Sequence, residues 1–163
     1  LEMSELRSVP CEDDVELGPL SEEVLTDLAP LAEDKGIALN CAGDALVTGS
    51  DTLLYRLVFN LVENAIRYSR SGSTVNVSIS DSDSHVLLRV EDQGPGIPKQ
   101  YRESIFQPFF RLDKSRSRAY GGAGLGLALV WEIAALHGGT VEVEASSENG
   151  TTMLVSLSKG ATT

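Results

Sequence analysis

Residues 51–68 leave little choice but an α-helix with one face buried. Taken at 100° per residue, Leu54, Tyr55, Val58, Phe59, Leu61, Val62, Ala65 and Ile66 form a broad apolar arc, while Arg56 and Glu63 mark the side toward water. An arc that wide has to be covered, and the segments able to cover it alternate with the period of strands. Residues 74–79 alternate cleanly and residues 86–90 less so, with the acidic turn at 81–84 joining them as a hairpin. A second hairpin is expected from residues 140–145 and 151–158, around Glu148-Asn149-Gly150. Shorter strands are expected at 15–17, 37–40 and 45–48. Two more helices complete the reading. One opens on Ser21 as its cap, carries Val24, Leu25, Leu28 and Leu31 as a stripe through Lys35, and ends at Gly36, with Pro30 weakening its middle. The other covers residues 124–137 and is stopped by Gly138-Gly139. Strand pairs interleaved with three helices predict an α+β fold, a two-layer sandwich in which a mixed five-stranded sheet carries about three helices on one face.

Composition narrows the class. At 163 residues, 42% apolar and 23% charged, the chain reads as one globular domain. Residues 1–14 show no periodicity and read as a linker or disordered arm, 15–158 as the domain and 159–163 as a tail. The longest apolar run, 125–136, is broken by Gly126 and Glu132 and is too short to span a bilayer. The first residues are polar and acidic, so no signal peptide is expected. Cys11 and Cys41 form no C-x-x-C pair and read as reduced; His85 and His137 lack metal-ligand spacing and read as structural. The net charge of −11 is uneven: residues 1–51 hold 13 acids against two bases, whereas 52–163 hold 11 of each. Without a basic stripe outside one flap, a nucleic-acid partner is not expected.

That flap is the chemically suggestive part. Six of the 13 basic residues (Lys99, Arg102, Arg111, Lys114, Arg116, Arg118) fall in 99–118 against Glu103 and Asp113, and the stretch runs into Gly121-Gly122-Ala123-Gly124-Leu125-Gly126-Leu127. Glycines let the backbone approach a ligand, and a helix start offers unpaired N–H groups and a positive dipole end to an anion. A basic flap hinged on such a turn suits a triphosphate; an ordinary loop before a helix is the plainer reading. Neither a P-loop nor a dinucleotide G-x-G-x-x-G is present.

Three further segments carry chemistry. Asn60 and Asn64, one helical turn apart, sit at the edge of the apolar arc of 51–68, flanked by Leu53 and Leu57. Buried unpaired amides are costly; these either satisfy nearby backbone or offer oxygens to a magnesium ion shared with phosphates. Asp92 ends a strand and enters Gln93-Gly94-Pro95-Gly96-Ile97-Pro98. It either caps its own turn or accepts a hydrogen bond from a base's exocyclic amine, with Gly94 and Gly96 permitting left-handed backbone and removing bulk. Phe106-Gln107-Pro108-Phe109 places aromatics where they anchor the flap; at most one short helical turn is expected within 93–123.

In order and spacing, the four segments resemble the catalytic and ATP-binding domain of bacterial sensor histidine kinases, over roughly residues 15–158. Asn60-Leu61-Val62-Glu63-Asn64-Ala65-Ile66-Arg67-Tyr68 resembles the N box, Asp92-Gln93-Gly94-Pro95-Gly96 the first glycine box, Phe106-Gln107-Pro108-Phe109 the F box, and Gly122-Ala123-Gly124-Leu125-Gly126-Leu127 the second glycine box. The resemblance implies a Bergerat-type fold binding ATP and Mg²⁺. It implies Asn64 as the Mg²⁺ ligand with Asn60 as second ligand or water-holder, and Asp92 as acceptor of the adenine amine. Gly94, Gly96 and Ile97 would shape the base pocket. Arg67, where lysine is more frequent, and Tyr68 would reach phosphate and ribose. Gly122, Gly124, Leu125, Gly126 and Leu127 would hold phosphates through backbone N–H groups, with Arg111 and Lys114 at the γ-phosphate. The family's acceptor motif, H-[ED]-x-[RKN]-[TS]-P, has no match at His85 or His137. The resemblance therefore implies a separate dimerisation and phosphoacceptor domain in a parent protein, with no catalytic acceptor in this chain, and a response regulator downstream. It also implies a cytoplasmic, monomeric domain without direct membrane contact, in a membrane-anchored parent. The rival readings are an anti-sigma-factor-type serine kinase or other ATPase of the same superfamily, a nucleotide-sensing module without catalysis, and a structural domain without ligand.

Overall fold

Alternation carries one row of side chains from each strand beneath the helices, and the topology follows from that burial. The computed structural model describes residues 13–108 and 126–159. These run β1 (Asp13–Glu16), α1 (Leu17–Lys35), β2 (Ala38–Ala42), β3 (Leu46–Gly49), α2 (Asp51–Tyr68), β4 (Thr74–Asp81), β5 (His85–Asp92), α3 (Gly126–Leu136), β6 (Thr140–Ser147) and β7 (Gly150–Ser158). One sheet has the order β2-β4-β5-β7-β6, in which β2 and β4 are parallel and the other neighbours antiparallel. β1 and β3 pair antiparallel as a separate ribbon. Among the described residues this is the expected mixed five-stranded sheet with three helices.

The inward rows are Val75, Val77 and Ile79 of β4, Val86, Leu88 and Val90 of β5, and Met153, Val155 and Leu157 of β7. They form one core with Leu54, Leu57, Val58, Leu61, Val62 and Ile66 of α2, Val24 and Leu28 of α1, and Val130 and Ile133 of α3. The outward row is mostly polar, with Leu87 and Leu154 half-buried in it. Arg89 of β5 reaches across β7 to Glu144 of β6 with two hydrogen bonds, at 2.7 and 2.9 Å.

Two local expectations are corrected, the Ser21 cap and the single turn after β5, while the helix runs through Pro30 as expected. Ser21 does not cap α1, which begins four residues earlier, at Leu17. The cap comes from outside the helix: Asp44 Oδ1 accepts from Gly18 N–H at 2.6 Å, and Ala45 O accepts from Leu17 N–H at 3.0 Å. Ser21 is instead fully buried within the first turns. Pro30 lies inside α1 without ending it. The carbonyl it deprives of a donor, that of Thr26, is on the exposed side, open to solvent. After β5 the chain makes two 3-10 turns, Lys99–Tyr101 and Ser104–Phe106, not one. The end of α1 is as expected: Gly36 takes a left-handed φ of 75° and its N–H turns back to Glu33 O.

Candidate functional site

The alternation that buries Val86, Leu88 and Val90 puts Asp92 on the same inward face, at the last position of β5. A carboxylate there is unusual, and it is held by backbone. Asp92 Oδ1 accepts from Gly94 N–H at 2.9 Å and from Thr151 N–H at 3.2 Å, and Asp92 and Thr151 face each other in the β5–β7 register. Asp92 is only 8% exposed. Burial pushes its pKa above the ordinary aspartate value, the two N–H groups oppose that rise, and Glu91 adds to it. Both backbone donors go to Oδ1, which leaves Oδ2 without a donor among the described residues.

The glycines beside it work by different means. Gly96 has a positive φ of 90°, as the sequence suggested. Gly94 has no positive φ; a Cβ on it would lie 2.5 Å from Tyr68 O, so it is the close approach of the α2 end that requires glycine there. Tyr68 thus meets the glycine turn through its carbonyl. Ile97 is half-buried against the core, and its N–H donates to Ser146 Oγ at 2.8 Å.

On α2, the Asn60 amide nitrogen donates to Arg56 O at 2.7 Å. That fixes which way its oxygen faces: a Cβ on Gly126 would lie 3.2 Å from Asn60 Oδ1, so the oxygen looks at the start of α3. Asn64, one turn further along, is half-buried, and its side-chain amide has no hydrogen-bond partner among the described residues. Arg67 pairs with Glu63 at 3.3 Å along the helix. Leu53 and Leu57, expected at the rim of the arc, are in the core. Gly126 and Leu127 open α3, with Leu127 packed against the core. Phe106 is buried and its ring stands 5.5 Å from that of Trp131 on α3, so the described end of the F box is anchored to that helix. Arg111, Lys114, Gly122, Gly124 and Leu125 lie outside the described residues.

Two groups that hold the site together escaped sequence reasoning. Thr151 was legible only as the first residue after a turn; its register opposite Asp92 needs the strand pairing. Lys35 ends α1, and its ammonium donates to the carbonyls of Ile66, at 3.0 Å, and Arg67, so it binds the last turn of α2. Burial, and then the Arg67 guanidinium, hold its pKa below the usual lysine range. His137, read as structural, is so: its Nε2 accepts from Ser50 N–H at 3.1 Å and its Nδ1 faces Ile133 O at 2.8 Å, which puts the proton on Nδ1.

A buried strand-end carboxylate, a helix edge with two amides and a helix start that one of them faces are the parts the structure describes. Comparison with known proteins identifies the family. The family model for histidine kinase-, DNA gyrase B- and HSP90-like ATPases matches residues 49–161. The sensor-like histidine kinase SenX3 of Mycobacterium tuberculosis (strain ATCC 25618 / H37Rv) is 36% identical over 162 residues, which cover 96% of this chain and 40% of SenX3. The chain therefore spans less than half of that relative. Among solved structures, the mycobacterial sensor histidine kinase MprB superposes with a TM-score of 0.78 at 29% identity, covering 93% of this chain and 99% of that one. Full-length ShkA in complex with AMPPNP gives 0.80 at 27% identity, covering 93% and 32%. The chain belongs to the histidine kinase-, DNA gyrase B- and HSP90-like ATPase family, and within it is the ATP-binding catalytic domain of a sensor histidine kinase.

Proposed function

We propose that the domain binds ATP with Mg²⁺ and presents the γ-phosphate to a histidine on a separate helical domain of a longer protein, from which the phosphoryl group passes to an aspartate of a response regulator. The observation that carries this is Asp92: a buried carboxylate whose Oδ1 is held by two N–H groups keeps Oδ2 for an exocyclic amine. Asn60 and Asn64 offer neutral oxygens on one helix edge, the donor type magnesium accepts when phosphates supply the rest of its shell. When bound, that ion neutralises charge on the β- and γ-phosphates. Gly126 and Leu127, together with Gly122, Gly124 and Leu125 ahead of them, supply backbone N–H groups for the phosphates. Arg111 and Lys114 meet the γ-phosphate, Arg67 and Tyr68 lie toward phosphate and ribose, and Gly94, Gly96 and Ile97 bound the base.

In the transfer, an imidazole nitrogen of the partner domain forms the new N–P bond as the bond from the γ-phosphorus to the bridging oxygen breaks and ADP leaves. Positioning and charge neutralisation do the catalysis. The acceptor is supplied from outside this chain. His137 is buried with both ring nitrogens engaged, which supports that division of labour. No described helix is long and apolar enough to cross a membrane; the anchor belongs to the parent protein. Incubating the domain with γ-labelled ATP and a histidine-bearing hairpin tests the proposal. Label should appear on the hairpin as acid-labile phosphohistidine only when both are present. Acid-stable label on serine, or no transfer to any hairpin of this type, contradicts it.

A further inference from the structure

Three chain segments converge on Asp92: the turn after α2, the glycine turn after β5 and the β6–β7 hairpin. Arg70 joins all three, by its backbone in one and its side chain in the other two. It belongs to the first segment, where its own carbonyl accepts from Ser73 N–H at 3.2 Å. One guanidinium nitrogen donates to Gln93 O at 3.0 Å and the other to Glu148 O at 2.7 Å. Its backbone N–H also faces Gln93 O at 3.4 Å. Gln93 is stitched to the same turn, with its N–H on Ser69 Oγ at 3.2 Å and its Oε1 accepting from Thr74 N–H at 2.7 Å.

The carbonyls that Arg70 grips flank the donors that set Asp92. Gln93 lies between Asp92 and Gly94, whose N–H holds Oδ1; Glu148 lies three residues before Thr151, whose N–H holds the same oxygen. Between them the fit is tight: a Cβ on Gly150 would lie 2.1 Å from Asp92 O, and one on Gly94 2.5 Å from Tyr68 O. With so little slack, displacement of either turn moves a donor, and with it the carboxylate. A planar guanidinium with forked donors can hold two carbonyls of different segments at once, which a lysine ammonium does with less directional control.

We propose that Arg70 is a positioning residue for base recognition: by clamping the Gln93 and Glu148 carbonyls it fixes the two N–H groups that aim Asp92 at the exocyclic amine of adenine. The role rests on the reading of Asp92 as the amine's acceptor. It does not require Arg70 to touch the nucleotide.

The test pairs a ligand change with a protein change. Wild-type protein, Arg70→Met and Arg70→Lys are each titrated with Mg²⁺ and two probes: a non-hydrolysable ATP analogue, and the same triphosphate on a purine lacking the 6-amino group. Wild type should prefer the amino probe by roughly tenfold or more, as expected for a hydrogen bond to a charged group. In Arg70→Met the preference should shrink to about threefold or less, because a misaimed carboxylate gains little from the amine; Arg70→Lys should fall between. A clamp that serves only stability would lower the melting temperature and leave the preference as in wild type. An unchanged preference in both folded variants overturns the proposal. Should Arg70→Met fail to fold by circular dichroism, the Lys variant decides: it overturns the proposal if its preference equals wild type. If wild type itself shows no preference, the reading of Asp92 fails, and the role of Arg70 with it.

Discussion

Burial raises the Asp92 pKa, and the N–H groups of Gly94 and Thr151 only partly offset that rise. Two consequences of opposite sign follow. For folding of the free domain, a carboxyl whose folded pKa exceeds its unfolded value gives its full stability below the unfolded pKa, and loses it as pH rises through the folded one. For binding, the amine needs the ionised carboxylate, so affinity is lost as pH falls toward the raised pKa, earlier than an ordinary aspartate would impose. Measured by titration from neutral pH down to about 5, just above the usual carboxylate range, wild-type affinity should fall more steeply than that of Asp92→Asn. The comparison removes the titration of the phosphates, common to both. Parallel curves would mean that Asp92 does not meet the base. Here sequence reasoning found the residue but not its state: D-x-G identifies a turn, whereas the depth of the carboxyl depends on which face of β5 it shares with Val86, Leu88 and Val90. For Gly94 the residue was legible and the cause was not, because the Tyr68 carbonyl it accommodates comes from another element.

The helix α2 is the element on which the site is built, and it is held at both ends by other helices. At its start, Ser50 Oγ accepts from Leu53 N–H at 3.2 Å, and the Ser50 N–H donates to His137 just beyond α3. At its end, Lys35 of α1 binds the final carbonyls. Ser50→Ala should destabilise the domain by about 1 kcal/mol, as loss of a helix cap generally does, read as a lower midpoint in urea denaturation. Nucleotide affinity should be retained, since Asn60, Asn64 and Tyr68 lie further along. A midpoint equal to wild type would show that the cap is redundant with the His137 contact. The bounds of α2 were legible because its apolar arc, its acidic first turn and its cap all agree locally. The start of α1 was not, because Asp44, which caps it, lies beyond the helix in the β2–β3 connection. Local signals locate a helix start when the capping side chain is its neighbour in sequence, as Ser50 is for α2.

Across the whole molecule, β5 and β7 bring Asp92 to Thr151, while α2 carries the Asn60 amide to the opening of α3. Strand periods predicted the sheet; the clasp of Arg70 across three turns exists only in the assembled fold. The central claim is that one bound purine triphosphate, with its magnesium, joins these parts. Calorimetric titration of the wild-type domain with a non-hydrolysable ATP analogue, with and without Mg²⁺, set beside Asp92→Asn and Asn64→Ala, tests it most directly. One site per chain is expected in the wild type, with affinity lowered about tenfold or more in Asp92→Asn and a magnesium dependence that Asn64→Ala largely removes. Wild-type affinity in Asp92→Asn, together with an undiminished magnesium effect in Asn64→Ala, would contradict it.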